Sequence, residues 1–150
     1  MTEPRIRLMT EEETERVAGV WYRAGREAYP YLAGWRQMTP ELALQVFRDH
    51  IAADCEVYVI EHGGAVAGYL ALKGSYVDRL YVDPQRQGLG LGTALLEHAR
   101  RLRPTGLELH THRQNVAACA FYERMGFVAV RYGSSPPPES APDVEYHWRP

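Results

Sequence analysis

The chain has 150 residues, 45% hydrophobic and 24% charged, which suits one domain over 1–150 with a full hydrophobic core. A net charge of −2 and an isoelectric point near 6.3 argue against nucleic acid or an acidic membrane as partner. There is no signal-peptide run and no membrane-length apolar segment. Cys55 and Cys119 are too few for a disulfide framework, so a cytoplasmic protein with free thiols is expected.

In chain order, residues 5–9 alternate polar and apolar side chains and predict a first strand. Thr10 and Glu13 spell a capping box that opens a helix toward Arg26, ended by Tyr29-Pro30. Thr39-Pro40-Glu41 opens a second helix to about Ala53, with a hydroxyl cap and proline at the first helical position. Residues 56–61 and 65–72 flank His62-Gly63-Gly64, a hairpin signal. A strand over 75–82 then leads into a glycine-rich loop and a third helix over 90–102. Residues 107–112 read as a fifth strand, 115–125 as a fourth helix, and 127–132 with 144–148 as a closing pair. The proline-rich run 134–142 should be an exposed loop that holds no ladder.

The most informative stretch is Gln87-Gly88-Leu89-Gly90-Leu91-Gly92-Thr93, between an apolar strand and an apolar-periodic helix. Glycine permits close backbone approach, and a helix start offers unpaired N–H groups at the positive end of its dipole. Together these suit a phosphate. It is not a P-loop, because no lysine follows Gly92, and the glycine spacing does not match a dinucleotide fingerprint. About twenty-five residues on, Asn115 reads as a helix N-cap, with Ala118, Phe121 and Met125 on one stripe and Gly126 as the stop. The spellings Gln87-x-x-Gly90-x-Gly92 and Asn115-x-x-Ala118-x-x-Phe121-Tyr122-x-x-x-Gly126-Phe127 resemble the two signatures of the GNAT superfamily of N-acetyltransferases.

The resemblance is strongest over 77–127. It implies an α+β fold: a mixed, mostly antiparallel sheet of about seven strands, splayed between strands 4 and 5 and flanked by four helices. It also implies acetyl-CoA as cofactor. The amides of Gly88, Leu89, Gly90, Leu91, Gly92 and Thr93 would then hold the pyrophosphate, with Gln87 beside them. Arg86 would add charge or stay solvated. Leu80, Tyr81 and Val82 would pair with the pantetheine arm as a further strand does, and Asn115 and Ala118 would touch the cofactor.

Acetyl transfer needs an aligned thioester, a donor to the developing oxyanion, a neutral amine and a proton for the departing thiolate. The family motif gives that last task to Tyr122; a phenol and a thiol have comparable pKa values, about 10 and 8.5. The alternative is a tyrosine packed beside Phe121. The general base stays open. Relatives carry glutamate where this chain has Tyr76, and Asp78 lies two residues on, either as base or paired with Arg79. His110, His112 and water are the other candidates. His110 and His112 share a strand face with Glu108 but lack other signals of a metal site, so no metal is expected. Cys119, among alanines, reads as a packed small residue.

Tyr22, Tyr29, Tyr31 and Trp35 cluster at the break after the first helix and suit either an amine pocket or a small core. The expected activity is direct acetyl transfer to a primary amine of a small molecule or peptide, and a homodimer is compatible with it. The alternative is a non-catalytic acetyl-CoA-binding sensor or scaffold of the same fold.

Overall fold

The computed structural model of the chain describes residues 3–150. Among them, seven strands form one sheet: β1 (Arg5–Leu8), β2 (Glu56–His62), β3 (Ala65–Lys73), β4 (Tyr76–Val82), β5 (Leu107–His112), β6 (Val128–Ser134) and β7 (Pro142–Trp148). Their order across the sheet is β1-β2-β3-β4-β5-β7-β6. Every neighbouring pair is antiparallel except β4 and β5, which are parallel and share the single pairing Tyr76↔Glu108. Beyond that pair the two strands part, and the expected splay is present.

Five α-helices flank the sheet: α1 (Thr14–Ala28), α2 (Ala33–Arg36), α3 (Pro40–Val46), α4 (Leu91–Leu102) and α5 (Val116–Arg124). One sheet face carries α4 and α5. There Leu91, Leu95, Leu96 and Ala99, spaced as one helical stripe, pack with Tyr122 on Ile60, Leu70, Leu72 and Val77. The other face carries α1 and α3. Val17, Val20 and Trp21 of α1 pack with Ala43 and Phe47 on the alternate strand residues Val57, Val59, Tyr69 and Ala71. Period-two strands between two period-3.6 stripes thus bury both faces of the sheet.

Four local expectations change. The sheet is flanked by five helices rather than four, because the break after α1 holds one extra turn, α2. Its Trp35 lies edge-on to Trp21, with ring centroids 5.1 Å apart. The first helix starts with a 3-10 turn, Glu11–Glu13, since Arg7 draws the Glu13 carboxylate toward β1 while that same carboxylate accepts from the Thr10 N–H at 2.9 Å. The second expected helix begins as read, with the Thr39 hydroxyl accepting from Leu42 N–H, but widens into a π-helical segment over Phe47–Ala52, which carries Phe47 and Ile51 into the core. Finally, the proline-rich run does hold a ladder at its ends. Ser134 pairs with Pro142, and the Ser135 N–H donates to the Ala141 carbonyl at 2.8 Å, so the open loop is shorter than expected.

Candidate active site

The splay places the end of β4, the loop after it and the N-termini of α4 and α5 around one cleft. The three loop glycines have different jobs. Gly88 and Gly90 sit at φ of 81° and 78°, left-handed values, and a Cβ on either would point into open space. A Cβ on Gly92 would instead meet Phe121 at 3.6 Å, with Val82 and Leu80 just beyond. Gly92 therefore lets α4 and α5 approach over the end of β4. Gly90 caps α4 with its carbonyl accepting from Ala94 N–H, leaving the amides of Leu91, Gly92 and Thr93 without helical partners. An anionic pyrophosphate fits this cradle.

The surrounding side chains stiffen the loop. The buried Asp83 accepts from Arg23 of α1 at 2.6 Å and from Gln85 N–H at 3.2 Å. Burial works against its charge, but these hydrogen bonds prevail and hold the carboxyl below its usual range. Gln87 donates its side-chain amide to the Val82 carbonyl at 3.2 Å, and Arg86 donates to the His62 carbonyl in the β2–β3 turn. Arg86, half-buried, is thus tied to the β2–β3 turn.

Past Tyr76, no pairing joins β4 to β5 among the described residues, so the β5-facing backbone groups of Leu80, Tyr81 and Val82 have no strand partner there. The β3–β4 register also breaks: Ala71 pairs with Arg79, but Leu72 pairs with Val77. Asp78 is the extra residue of this β-bulge. It lies 3.6 Å from Arg79 as an ion pair, the structural alternative that its sequence position allowed.

Tyr122 is buried beneath the cleft, its ring 5.1 Å from Phe121, 5.6 Å from Phe127 and 6.2 Å from Tyr146. Burial, with smaller effects from Tyr29 and Tyr76, pushes its phenol well above the ordinary value. The hydroxyl therefore keeps its proton throughout the physiological range. Asn115 caps α5, its Oδ1 accepting from Ala118 N–H at 3.1 Å, while its Nδ2 donates to the Tyr29 hydroxyl at 3.4 Å.

The aromatic residues in and after α1 separate into two groups. Trp35 belongs to the core, and Tyr22 is held on the surface by Arg26. Tyr29 and Tyr31 reach the cleft, Tyr29 tilted against His112 and Tyr31 edge-on to it, with ring centroids 4.8 and 6.3 Å away. The Tyr31 hydroxyl and His112 Nδ1 are buried without hydrogen-bond partners. An unpaired buried polar group costs about 1–3 kcal/mol, so each of these two atoms calls for a partner. His110 takes a different position, its Nδ1 at 2.9 Å from the Tyr76 hydroxyl.

Sequence reasoning missed Glu139. It lies in the loop between β6 and β7 and reaches His112 Nε2 at 3.0 Å, closing one side of the cleft. The only signal in the sequence is an acid within a proline-rich run, which specifies no partner. The β4 bulge was also missed, because it exists only in the pairing with β3.

A splayed β4–β5 junction that faces a left-handed glycine turn and two helix N-termini is the architecture of acyl transfer from coenzyme A. The chain belongs to the GNAT acetyltransferase family: residues 53–129 match the model of the acetyltransferase (GNAT) domain. It is an acetyl-CoA-dependent acyltransferase. Over 123 residues it is 33% identical to the peptidyl-lysine N-acetyltransferase YjaB of Salmonella typhimurium, a match covering 81% of each chain. The fold superimposes on the solution structure of apo-form YjaB from Escherichia coli with a TM-score of 0.82, at 24% identity over 98% of both chains. It also superimposes on the PaiA N-acetyltransferase of Thermoplasma acidophilum in complex with coenzyme A, with a TM-score of 0.75 and 19% identity, covering 99% of this chain and all of that one (100%). No helix among the described residues is long and apolar enough to cross a membrane.

Proposed function

We propose that the acceptor is the side-chain amine of lysine in a peptide or protein, acetylated directly within a ternary complex. The observation that carries this is the phenol-lined cleft with its unpaired Tyr31 hydroxyl and His112 Nδ1. Aromatic walls with polar tips suit an aliphatic arm ending in a cation. The peptidyl-lysine relative, at 33% identity, supports the same class.

Bound acetyl-CoA supplies the activated acetyl thioester. The amides of Gly88 through Thr93 hold its pyrophosphate, with Gln87 fixing the loop. Leu80, Tyr81 and Val82 present the unpaired edge of β4 to the pantetheine arm, and Asn115 and Ala118 border it on α5. A β4 backbone N–H in the stretch Leu80–Val82 would donate to the acetyl carbonyl oxygen as it gains charge. Tyr122 holds the proton that the departing thiolate takes. Asp78 stands at the bulge as a candidate for deprotonating the amine.

Free-thiol release from acetyl-CoA, measured across lysine peptides, aminoglycosides and simple amines, tests the acceptor class. Lysine peptides should show the highest kcat/KM. Turnover of small amines alone would overturn the peptide assignment while leaving the acyltransferase intact.

A further inference from the structure

A row of polar side chains crosses four adjacent strands on one face of the sheet. Tyr76 begins it, on β4, at the last pairing before the splay. Its hydroxyl lies 2.9 Å from Nδ1 of His110 on β5. His110 is directly opposite Glu145 on β7 in the strand register, and its Nε2 lies 3.6 Å from Glu145 Oε1. Glu145 in turn faces Arg131 on β6, which it binds, and accepts from His147 Nε2 at 2.6 Å. The row runs from the closed end of the splay to the exposed edge of the sheet.

We infer that this row is the proton exit for the acceptor amine, with Tyr76 touching the incoming ammonium group and His110 taking the proton through the phenol. This rests on the acceptor being a protonated primary amine, as proposed above. The geometry is consistent in its polarity. An imidazole protonated at Nε2, facing Glu145, presents its Nδ1 lone pair to the Tyr76 O–H. As the ammonium gives a proton to Tyr76 Oη, the phenol's own proton passes to His110 Nδ1. The products are a neutral amine and an imidazolium, and the exposed imidazolium ring releases its proton to water.

The charges fit that traffic. His147 foremost, with Arg131 and His110, holds the Glu145 carboxyl below its usual range, so it remains an anion beside the imidazolium. Burial, then Asp78, pushes the Tyr76 phenol up, so it relays a proton rather than standing as a phenolate. The other charged neighbours of Tyr76 are Arg79 and Asp143. Tyr76 is the catalytic residue of the row; His110 and Glu145 act through it and position it.

The test uses the whole protein and two acceptor probes, a peptide with one lysine amine and a blocked-side-chain peptide with only its α-amine. These amines titrate near 10.4 and about 8, so they differ in how much help deprotonation needs. In wild type, kcat/KM on the lysine peptide should show an acid limb. H110Q and Y76F should lose about 10²-fold on the lysine peptide near neutral pH, and that acid limb should vanish. The deficit should shrink with the α-amine and as the pH rises, while thermal stability and acetyl-CoA affinity hold. Nitrogen-15 NMR of the His110 ring should show the Nε2–H tautomer and a ring signal that moves in Y76F and E145Q.

Equal deficits on both amines would show a structural role and overturn the relay. An acid limb retained in H110Q but lost in D78N would overturn it in favour of Asp78. A wild-type protein that turns over neither amine would sink the acceptor assignment. An Nδ1–H tautomer, or a ring indifferent to Y76F, would sink the row itself.

Discussion

The cradle after β4 and the aromatic wall after α1 face one cleft, yet they are built on different physical grounds. The cradle acts through its backbone: left-handed turns at Gly88 and Gly90 and unpaired amides at the start of α4. The wall acts through side chains, Tyr29 and Tyr31 against His112, held by a loop that owes its course to Trp35 seated on α1. A backbone device tolerates few spellings, because few residues adopt its conformation. A side-chain wall tolerates many, provided the shape and polarity survive. The two regions should therefore fail differently when altered.

The largest effect is expected in the cradle. Gly90→Glu puts a carboxylate at the proposed pyrophosphate site and should remove measurable acetyl-CoA binding in calorimetry. The left-handed conformation adds a strain of about 1–2 kcal/mol, which the fold should survive. Binding at wild-type affinity would show that the loop is only a turn.

Next comes the floor of the cleft that both regions share. Tyr122→Phe keeps the ring against Phe121, Phe127 and Tyr146 and removes only the proton. The expected outcome is a fall in kcat of about 10²–10⁴, with acetyl-CoA affinity and Tm nearly unchanged. The loss should shrink with a thioester whose leaving group needs no proton. Full kcat on the true acceptor would take Tyr122 out of the mechanism.

The wall should fail more gently. A Cβ on Gly25 of α1 would fall 2.1 Å from the Trp35 ring, so Gly25→Ala must push that ring away. A loss of about 1–3 kcal/mol in stability is expected, with a higher acceptor KM and unaltered acetyl-CoA affinity. Weakened cofactor binding would show that the two regions are not separable in this way.

The smallest effect lies outside both regions. The Arg7 guanidinium, hydrogen-bonded to Glu13, holds that carboxyl down at about 2 against an ordinary value of 4.5. Its stabilisation is full above the ordinary value and is lost as pH falls toward 2. Glu13→Gln should therefore be about 1–2 kcal/mol less stable than wild type at neutral pH. The gap should close on acidification, as read from denaturant midpoints, and leave both halves of the site active. A gap that does not change with pH would assign the loss to packing instead.

How much was legible follows the same division. Asn115 as the cap of α5, Gly126 as its stop at φ of 90°, and the glycine loop were readable because each is fixed within a few residues along the chain. The Thr39 cap of α3 was readable for the same reason. Glu139 was not, since its approach to His112 depends on how β6 and β7 close their loop. The aromatic cluster was visible as a composition, but nothing local separates Tyr29, which reaches the cleft, from Trp35, which does not.

By itself, then, the sequence determined most of the elements, the caps of α3 and α5, and the left-handed glycine loop before α4. These depend on backbone conformation and helical period, which neighbouring residues impose. Tertiary structure alone decided the bulge at Asp78, the bond between Tyr76 and His110, and the facing of His110 by Glu145. Those contacts join residues 34 or 35 positions apart along the chain, or alter a register between strands. Strand pairing is a property of two segments at once, and no single stretch of sequence carries it.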